Sequence, residues 1–183
     1  MIWWVAAIVC CSDQLTKLWA VRTLGTGRTI TLLEDFLQLS YTTNQGGAAG
    51  LLRNYPQFLT VVSLVALVVI IWWARTVPFD ERLARVGFGA ILGGAIGNLL
   101  DRLFRGGFFV GTYVVDFIDA HWYDRWHWPT FNLADSAICI GIGIVIVAHW
   151  RTARLAASAE SRVEAENPAN ERARDDGEKK PPL

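Results

Sequence analysis

Phe131-Asn132-Leu133-Ala134-Asp135-Ser136-Ala137-Ile138-Cys139-Ile140-Gly141-Ile142-Gly143-Ile144-Val145-Ile146-Val147-Ala148-His149-Trp150 is the stretch whose reading decides the fold. After Asp135 and Ser136 it is almost uninterrupted apolar sequence. As a helix, residues 133–150 cover about 27 Å, close to the hydrocarbon thickness of a bilayer. Working outward, three further apolar segments stand out: 2–20, 58–73 and 86–104. Tryptophans mark their edges, at Trp3, Trp4, Trp19, Trp72, Trp73 and Trp150, which is where an aromatic belt sits. The pattern predicts an all-α membrane protein with four transmembrane helices and both termini on one side.

Composition agrees. The chain of 183 residues is 52% hydrophobic with mean hydropathy +0.29 and zero net charge. Charge is sparse up to Trp150 and dense beyond Arg151. That places a membrane domain at 1–156 and a charged, disordered tail at 157–183. No basic patch points to nucleic acid. The arginines of alternate loops nearly balance, so charge alone does not orient the chain. The N-terminus lacks a basic n-region, and Asp13 and Lys17 interrupt it where a cleavage site would be sought, so a retained first span is expected. Only twelve residues precede Asp13, which leaves open a start upstream of Met1.

Between the first two segments, residues 29–33 and 36–41 read as short strands around Glu34-Asp35, a small β element. Asn44-Gln45-Gly46-Gly47-Ala48-Ala49-Gly50 follows. Residues 112–118 read as a further strand within a short surface segment between the third and fourth helices. Cys10, Cys11 and Cys139 suggest neither a disulfide framework nor a metal site. His121, His127 and His149 are scattered and form no HExxH pattern. Neither metal nor cofactor is expected.

Two acids stand out, Asp116 in Val114-Val115-Asp116-Phe117-Ile118 and Asp135. A carboxylate costs roughly 2.5–3.5 kcal/mol at mid-membrane and less near its edges, so two of them inside hydrophobic motifs imply use. Nineteen residues separate them, enough chain to fold back and bring the carboxyls together. Two carboxyls in one desolvated site cannot both ionise easily. The ionised one then takes a proton from water while the protonated one donates to a peptide carbonyl. That is aspartic-protease chemistry, with the pair titrating as a unit. Asp119 is a rival for Asp116, but three residues along a strand it faces the other way. Asn132 shares a helix face with Asp135, or caps that helix. Gly89, Gly93 and Gly97, with Ala90, Gly94, Asn98 and Arg102 beside them, form small-residue stripes for close helix packing and deliver polar groups to one helix end.

Five blocks together resemble one family: Asp13-Gln14-Leu15-Thr16-Lys17, Asn44-x-Gly46, Gly93-Gly94-Ala95-Ile96-Gly97-Asn98-Leu99-Leu100-Asp101-Arg102, Val115-Asp116-Phe117 and Phe131-Asn132-Leu133-Ala134-Asp135. Their order and context are similar to lipoprotein signal peptidase, also called signal peptidase II. The resemblance implies a four-helix, monomeric aspartic endopeptidase of the bacterial inner membrane, with cytoplasmic termini and an active site near the outer face. It implies substrates that are diacylglyceryl-modified prolipoproteins, cut just before the lipidated cysteine. It also implies that Asp116 and Asp135 are the catalytic dyad. Asn44, Gly46, Asn98, Asp101, Arg102 and Asn132 would support the site, and Asp13 would border it. Three features depart from the family pattern: Ala49 where an aromatic is usual, extra residues around 105–109, and the charged tail.

Two other classes compete. A proton-coupled transporter also carries intramembrane acids, but this chain shows no inverted repeat, and its polar groups gather at helix ends. A non-catalytic assembly protein leaves the contexts of Asp116 and Asp135 without a purpose.

Overall fold

The computed structural model describes residues 1–45, 55–78, 81–105 and 112–165. Four long helices appear: α1 (Ile2–Leu24), α2 (Pro56–Ala74), α3 (Arg82–Leu100) and α4 (Leu133–Ala165). Three of them, α2, α3 extended to Arg105, and α4, are long and apolar enough to cross a membrane. The middle of α1 carries Ser12, Asp13, Gln14, Thr16 and Lys17, which lower its hydropathy. Most of α2 turns large apolar side chains outward, Val65, Val68 and Trp72 among them. Such a surface suits lipid rather than water.

The segments joining the helices contribute a four-stranded antiparallel sheet, β1 (Ile30–Leu33), β2 (Leu37–Asn44), β3 (Val114–Trp122) and β4 (Trp126–His127), in that order. The link between α3 and α4 is therefore more than a surface segment, and the fold is helical with a sheet rather than all-α. β3 lies inside the sheet, paired to β2 on one side and β4 on the other. Val114, Val115, Asp116 and Phe117 are all buried. The β1–β2 turn closes at Asp35 with φ of 61°, a left-handed conformation that Asp tolerates. Between Leu39 and Thr42 the β2–β3 register slips, a bulge two residues from Asn44 that re-aims the end of β2.

The chain divides into two compact units, residues 1–145 and 146–183. In the second unit the helix continues to Ala165, past the tail boundary expected at 157. The run Ala156-Ala157-Ser158-Ala159-Glu160 is rich in strong helix formers, which accounts for the difference. Arg154 lies over the Trp150 ring at 3.9 Å, a cation–π contact of the kind found at a membrane edge. Residues 166–183 lie outside the described residues.

In the first unit, α3 is the central helix, and its glycines let neighbours approach. A Cβ on Gly93 would meet Ala6 O at 2.6 Å and Val9 Cβ at 2.7 Å, and one on Gly89 would meet Ile2 O at 2.8 Å, so this stripe seats α1. The adjacent stripe seats α4: a Cβ on Gly94 would meet Ala134 O at 2.5 Å, and Gly87 and Gly141 each press on the other's backbone. In lipid, where apolar burial between helices gains little, such close packing is what holds helices together. Gly93→Val is expected to cost about 1–3 kcal/mol through overpacking, seen as a lower thermal unfolding temperature in detergent. Gly143→Ala, where a Cβ meets nothing within 4 Å, should hold or slightly raise that temperature.

Candidate active site

The glycine stripes bring the polar middle of α1 together with the polar ends of α3 and α4, near β3. At the centre is Lys17, wholly buried on α1. Its Nζ lies 2.9 Å from Asp13 Oδ2 and 3.2 Å from Asp101 Oδ2, and it donates to Asn98 Oδ1 at 2.8 Å. Both carboxylates are also wholly buried, and each grips a backbone N–H elsewhere. Asp13 Oδ1 accepts from Ala134 N at 3.0 Å, and Asp101 Oδ2 accepts from Val115 N at 3.0 Å. Those are the residues immediately before Asp135 and Asp116. Arg105 Nε adds a 2.7 Å bond to Asp101 Oδ1, and Gln14 Nε2 bridges Asp101 Oδ1 and Gly97 O. Asp101–Arg105 is a π-helical turn, which widens the end of α3 and fits the frequent use of such turns at functional sites.

From Asn98 the network reaches the two aspartates. Asn98 Nδ2 donates to Asp135 Oδ1 at 2.8 Å, while Asn98 Oδ1 accepts from Asn132 Nδ2 at 3.2 Å. Asn132 is the N-cap of α4: its Oδ1 accepts from Asp135 N at 3.0 Å, and Asp135 Oδ2 accepts from Asn132 N at 3.2 Å. This reciprocal pair has the form of a capping box, with Asp135 in the third helical position. The same Asn132 amide donates to Asp116 Oδ1 at 2.6 Å, and Asn44 Nδ2 donates to Asp116 Oδ2 at 3.0 Å. Asn132 thus caps α4 and also bonds Asp116; the sequence reading holds capping compatible with a part in the site.

Asp116 and Asp135 line one cavity of about 240 Å³, together with Asn44, Asn98, Arg102 and the 128–131 segment. Arg102 is almost fully buried, and its Nε and Nη1 have no hydrogen-bond partner among the described residues. A second, almost wholly apolar groove of about 310 Å³ starts from Asp135 and runs along α4 past Ser136, Cys139 and Ile140, with Trp128 and Phe131 opposite. Asp119 does not line the cavity; it takes a 2.6 Å bond from Gln38.

Of the expected site residues, the structure thus gathers Asp13, Asn44, Asn98, Asp101, Arg102, Asp116, Asn132 and Asp135 into one connected cluster. Gly46 lies outside the described residues, as do Ala49 and the extra residues 106–109. Lys17 and Gln14 are not among the residues expected at the site, yet they join Asp13 to Asp101. The signal was available: Asp13 and Lys17 are four apart, one helical turn, in an apolar segment.

Asp116 lies outside the spanning helices. Burial, and then the nearby Asp135, push its carboxyl up to about 6, against the hydrogen bonds from Asn44 and Asn132 and the charge of Lys17.

Comparison with known proteins places the chain. The family described as signal peptidase (SPase) II matches residues 5–151, and the chain belongs to this family of aspartic peptidases. A lipoprotein signal peptidase of Syntrophotalea carbinolica is 42% identical over 80% of this chain and 89% of its own length. One from Alteromonas mediterranea is 37% identical over 79% of this chain and 77% of its own. A solved bacterial membrane enzyme, obtained by the in meso method, superposes with a TM-score of 0.66 at 29% identity, covering 80% of this chain and 85% of that one.

Two outcomes are expected. Lys17→Met leaves Asp13 buried without a cation and Asp101 with Arg105 alone, and should cost about 3–5 kcal/mol, read by thermal unfolding in detergent; an unchanged unfolding temperature would remove Lys17 from its central place. For Asp116, the unfolded carboxyl releases its proton near pH 4. Between there and about 6 the folded protein holds a proton that the unfolded chain has lost, so this group's contribution to stability falls as pH rises through that window. A protonated-carboxyl infrared band should be present at about pH 5, fade through about pH 6, and be missing in Asp116→Asn. Asn44→Ala, which removes a donor to the ionised form, should move the fade to higher pH.

Proposed function

We propose that Asp116 and Asp135 are the catalytic dyad of an endopeptidase that removes signal peptides from diacylglyceryl-modified prolipoproteins, cutting just before the lipidated cysteine. The observation that carries this reading is their joint position. The two carboxyls, one on β3 and one on α4, come onto one cavity, each with a side-chain amide donor, and Asn132 bonds to both. In the reaction, the ionised carboxylate takes a proton from water, and the water oxygen attacks the scissile carbonyl carbon. The protonated carboxyl gives its proton to the carbonyl oxygen. Collapse of the tetrahedral intermediate breaks the C–N bond, with a proton returned to the leaving amine. The asparagine bonds hold both carboxyls in place and leave proton exchange to the pair as a unit. Arg102, with donors unfilled among the described residues, fits a role in holding substrate carbonyls in the cavity.

The lipid requirement follows from the paired shapes. The cavity that holds the two carboxyls and a more apolar groove meet at Asp135, so acyl chains along α4 would set the peptide at a fixed depth. Four transmembrane helices, a bacterial inner-membrane location, a site near the outer face and action as a monomer complete the reading. So does a cytoplasmic tail that contributes nothing to cleavage.

The test is cleavage of a diacylglyceryl-modified lipobox substrate by purified protein in detergent or proteoliposomes. Asp116→Asn and Asp135→Asn should each lower the rate by about 10²–10⁴-fold or more while remaining folded. Substantial cleavage by either variant would sink the dyad, and equal cleavage of the non-lipidated precursor would sink the lipid-anchored geometry.

A further inference from the structure

The β3–β4 hairpin holds a cluster for which the peptidase reading has no use. His121 and His127 are direct cross-strand partners, with ring centroids 5.2 Å apart. Asp119 Oδ1 faces both, 3.7 Å from His121 Nδ1 and 3.8 Å from His127 Nδ1. These separations are too long for hydrogen bonds. The other oxygen, Asp119 Oδ2, is held by the 2.6 Å bond from Gln38 Nε2, which orients the carboxylate toward the imidazoles. His121 Nδ1 is buried with no hydrogen-bond partner among the described residues. Leaving such an atom unsatisfied costs about 1–3 kcal/mol.

We propose that Asp119, His121 and His127 form a binding site for a divalent transition-metal ion of the zinc type, separate from the dyad. Their ligand atoms lie within 4.8 Å of one another. A tetrahedral zinc ion with bonds of about 2.0–2.2 Å sets its ligand atoms roughly 3.3–3.5 Å apart; the two separations from Asp119, 3.7 and 3.8 Å, need shifts of about a few tenths of an ångström, and the two imidazoles close the rest by rotation of a ring. Two imidazoles and a carboxylate suit zinc, with the fourth position open to water. The two rings lie 21° from parallel, so their in-plane lone pairs converge only when one turns. His127, the exposed member, is the ring that can swing, while His121 and Asp119 are held on β3. Gln38 is the positioning residue, fixing the carboxylate from behind as outer-shell partners do.

The site has a structural consequence. β4 leads directly into Trp128 and Phe131, which form a wall of the cavity, and Trp128 N bonds Ala120 O at 2.9 Å. An ion joining His127 to Asp119 and His121 would clip this hairpin shut and stiffen that wall.

The experiment uses the full-length, untagged chain in detergent, stripped with chelator and then freed of it, and titrated with Co²⁺ followed by Zn²⁺. One equivalent of Co²⁺ should give visible d–d absorption, displaced by Zn²⁺, and Zn²⁺ should raise the unfolding temperature. His127→Gln and Asp119→Asn should abolish the absorption, and Gln38→Leu should weaken Zn²⁺ binding by about 10–100-fold. Unfolding temperatures of the metal-free proteins show that each variant is folded. His127→Gln, on an exposed side chain, keeps the test standing if Asp119→Asn unfolds. No Co²⁺ absorption in the wild type, or absorption unchanged in His127→Gln, overturns the proposal. Cleavage of lipidated substrate with and without chelator keeps this result distinct from the dyad: loss of the metal site leaves Asp116 and Asp135 in place.

Discussion

A single buried ammonium organises the structure. Lys17 sits among Asp13, Asp101 and Asn98, all reached at 3.2 Å or less. Removing such charges from water costs several kcal/mol per ion, so the cluster is weak evidence for stability in itself. What it supplies is position. Asp13 passes the constraint to the backbone of Ala134, Asp101 to that of Val115, and Asn98 to the Asp135 side chain. A helix and a strand from different parts of the chain are thereby tied to one cation, one residue short of each aspartate that lines the cavity. Moving either would leave a buried carboxylate short of a donor, which makes the arrangement stiff.

Helix packing makes that cluster possible. Lys17 reaches Asn98 and Asp101 because α1 lies close against α3, and that approach depends on glycine. A Cβ on Gly97 would collide with the Asp13 carboxylate itself. The same holds one face around, where Gly94 admits the backbone of Ala134, the start of α4. The stripes that look like ordinary lipid-phase packing therefore set the depth at which the polar ends meet. A larger residue at Gly97 would act on the charge cluster first and on helix packing second.

Much of this was legible in the sequence, for a physical reason. A carboxylate in apolar surroundings needs partners, so Asp116, Asp135 and the asparagines near them announce a shared site before any coordinates. Apolar lengths gave the helices, and alternation around Glu34-Asp35 gave β1 and β2. The full extent of β3 was less legible, because its buried half, Val114 to Phe117, lacks alternation, as a strand covered on both faces must. His121 and His127 look scattered because their proximity is a matter of cross-strand register, which the five aromatic and charged residues between them do not reveal. Helix formers beyond Ala157 carried α4 into a stretch whose charge had suggested disorder.

Asp116 and Asp135 are held by different means, and the difference bears on how a pair in one cavity could work. Asp135 is part of its own helix cap, so its orientation is tied to the first turn of α4 and to Asn98. Asp116 projects from a strand whose partner bulges two residues before Asn44, and both its oxygens take side-chain amides. One carboxyl is thus fixed by helix geometry and the other by sheet geometry, with Asn132 as the piece common to both. β3 is tied to the start of α4 by Asn132 and by the bridge between Ile118 and Phe131, so the separation of the carboxyls is set where the strand meets the helix cap. In the proposed reaction that separation decides whether one proton is shared, so the junction of β3 with the α4 cap is where the fold would tune the proposed pair.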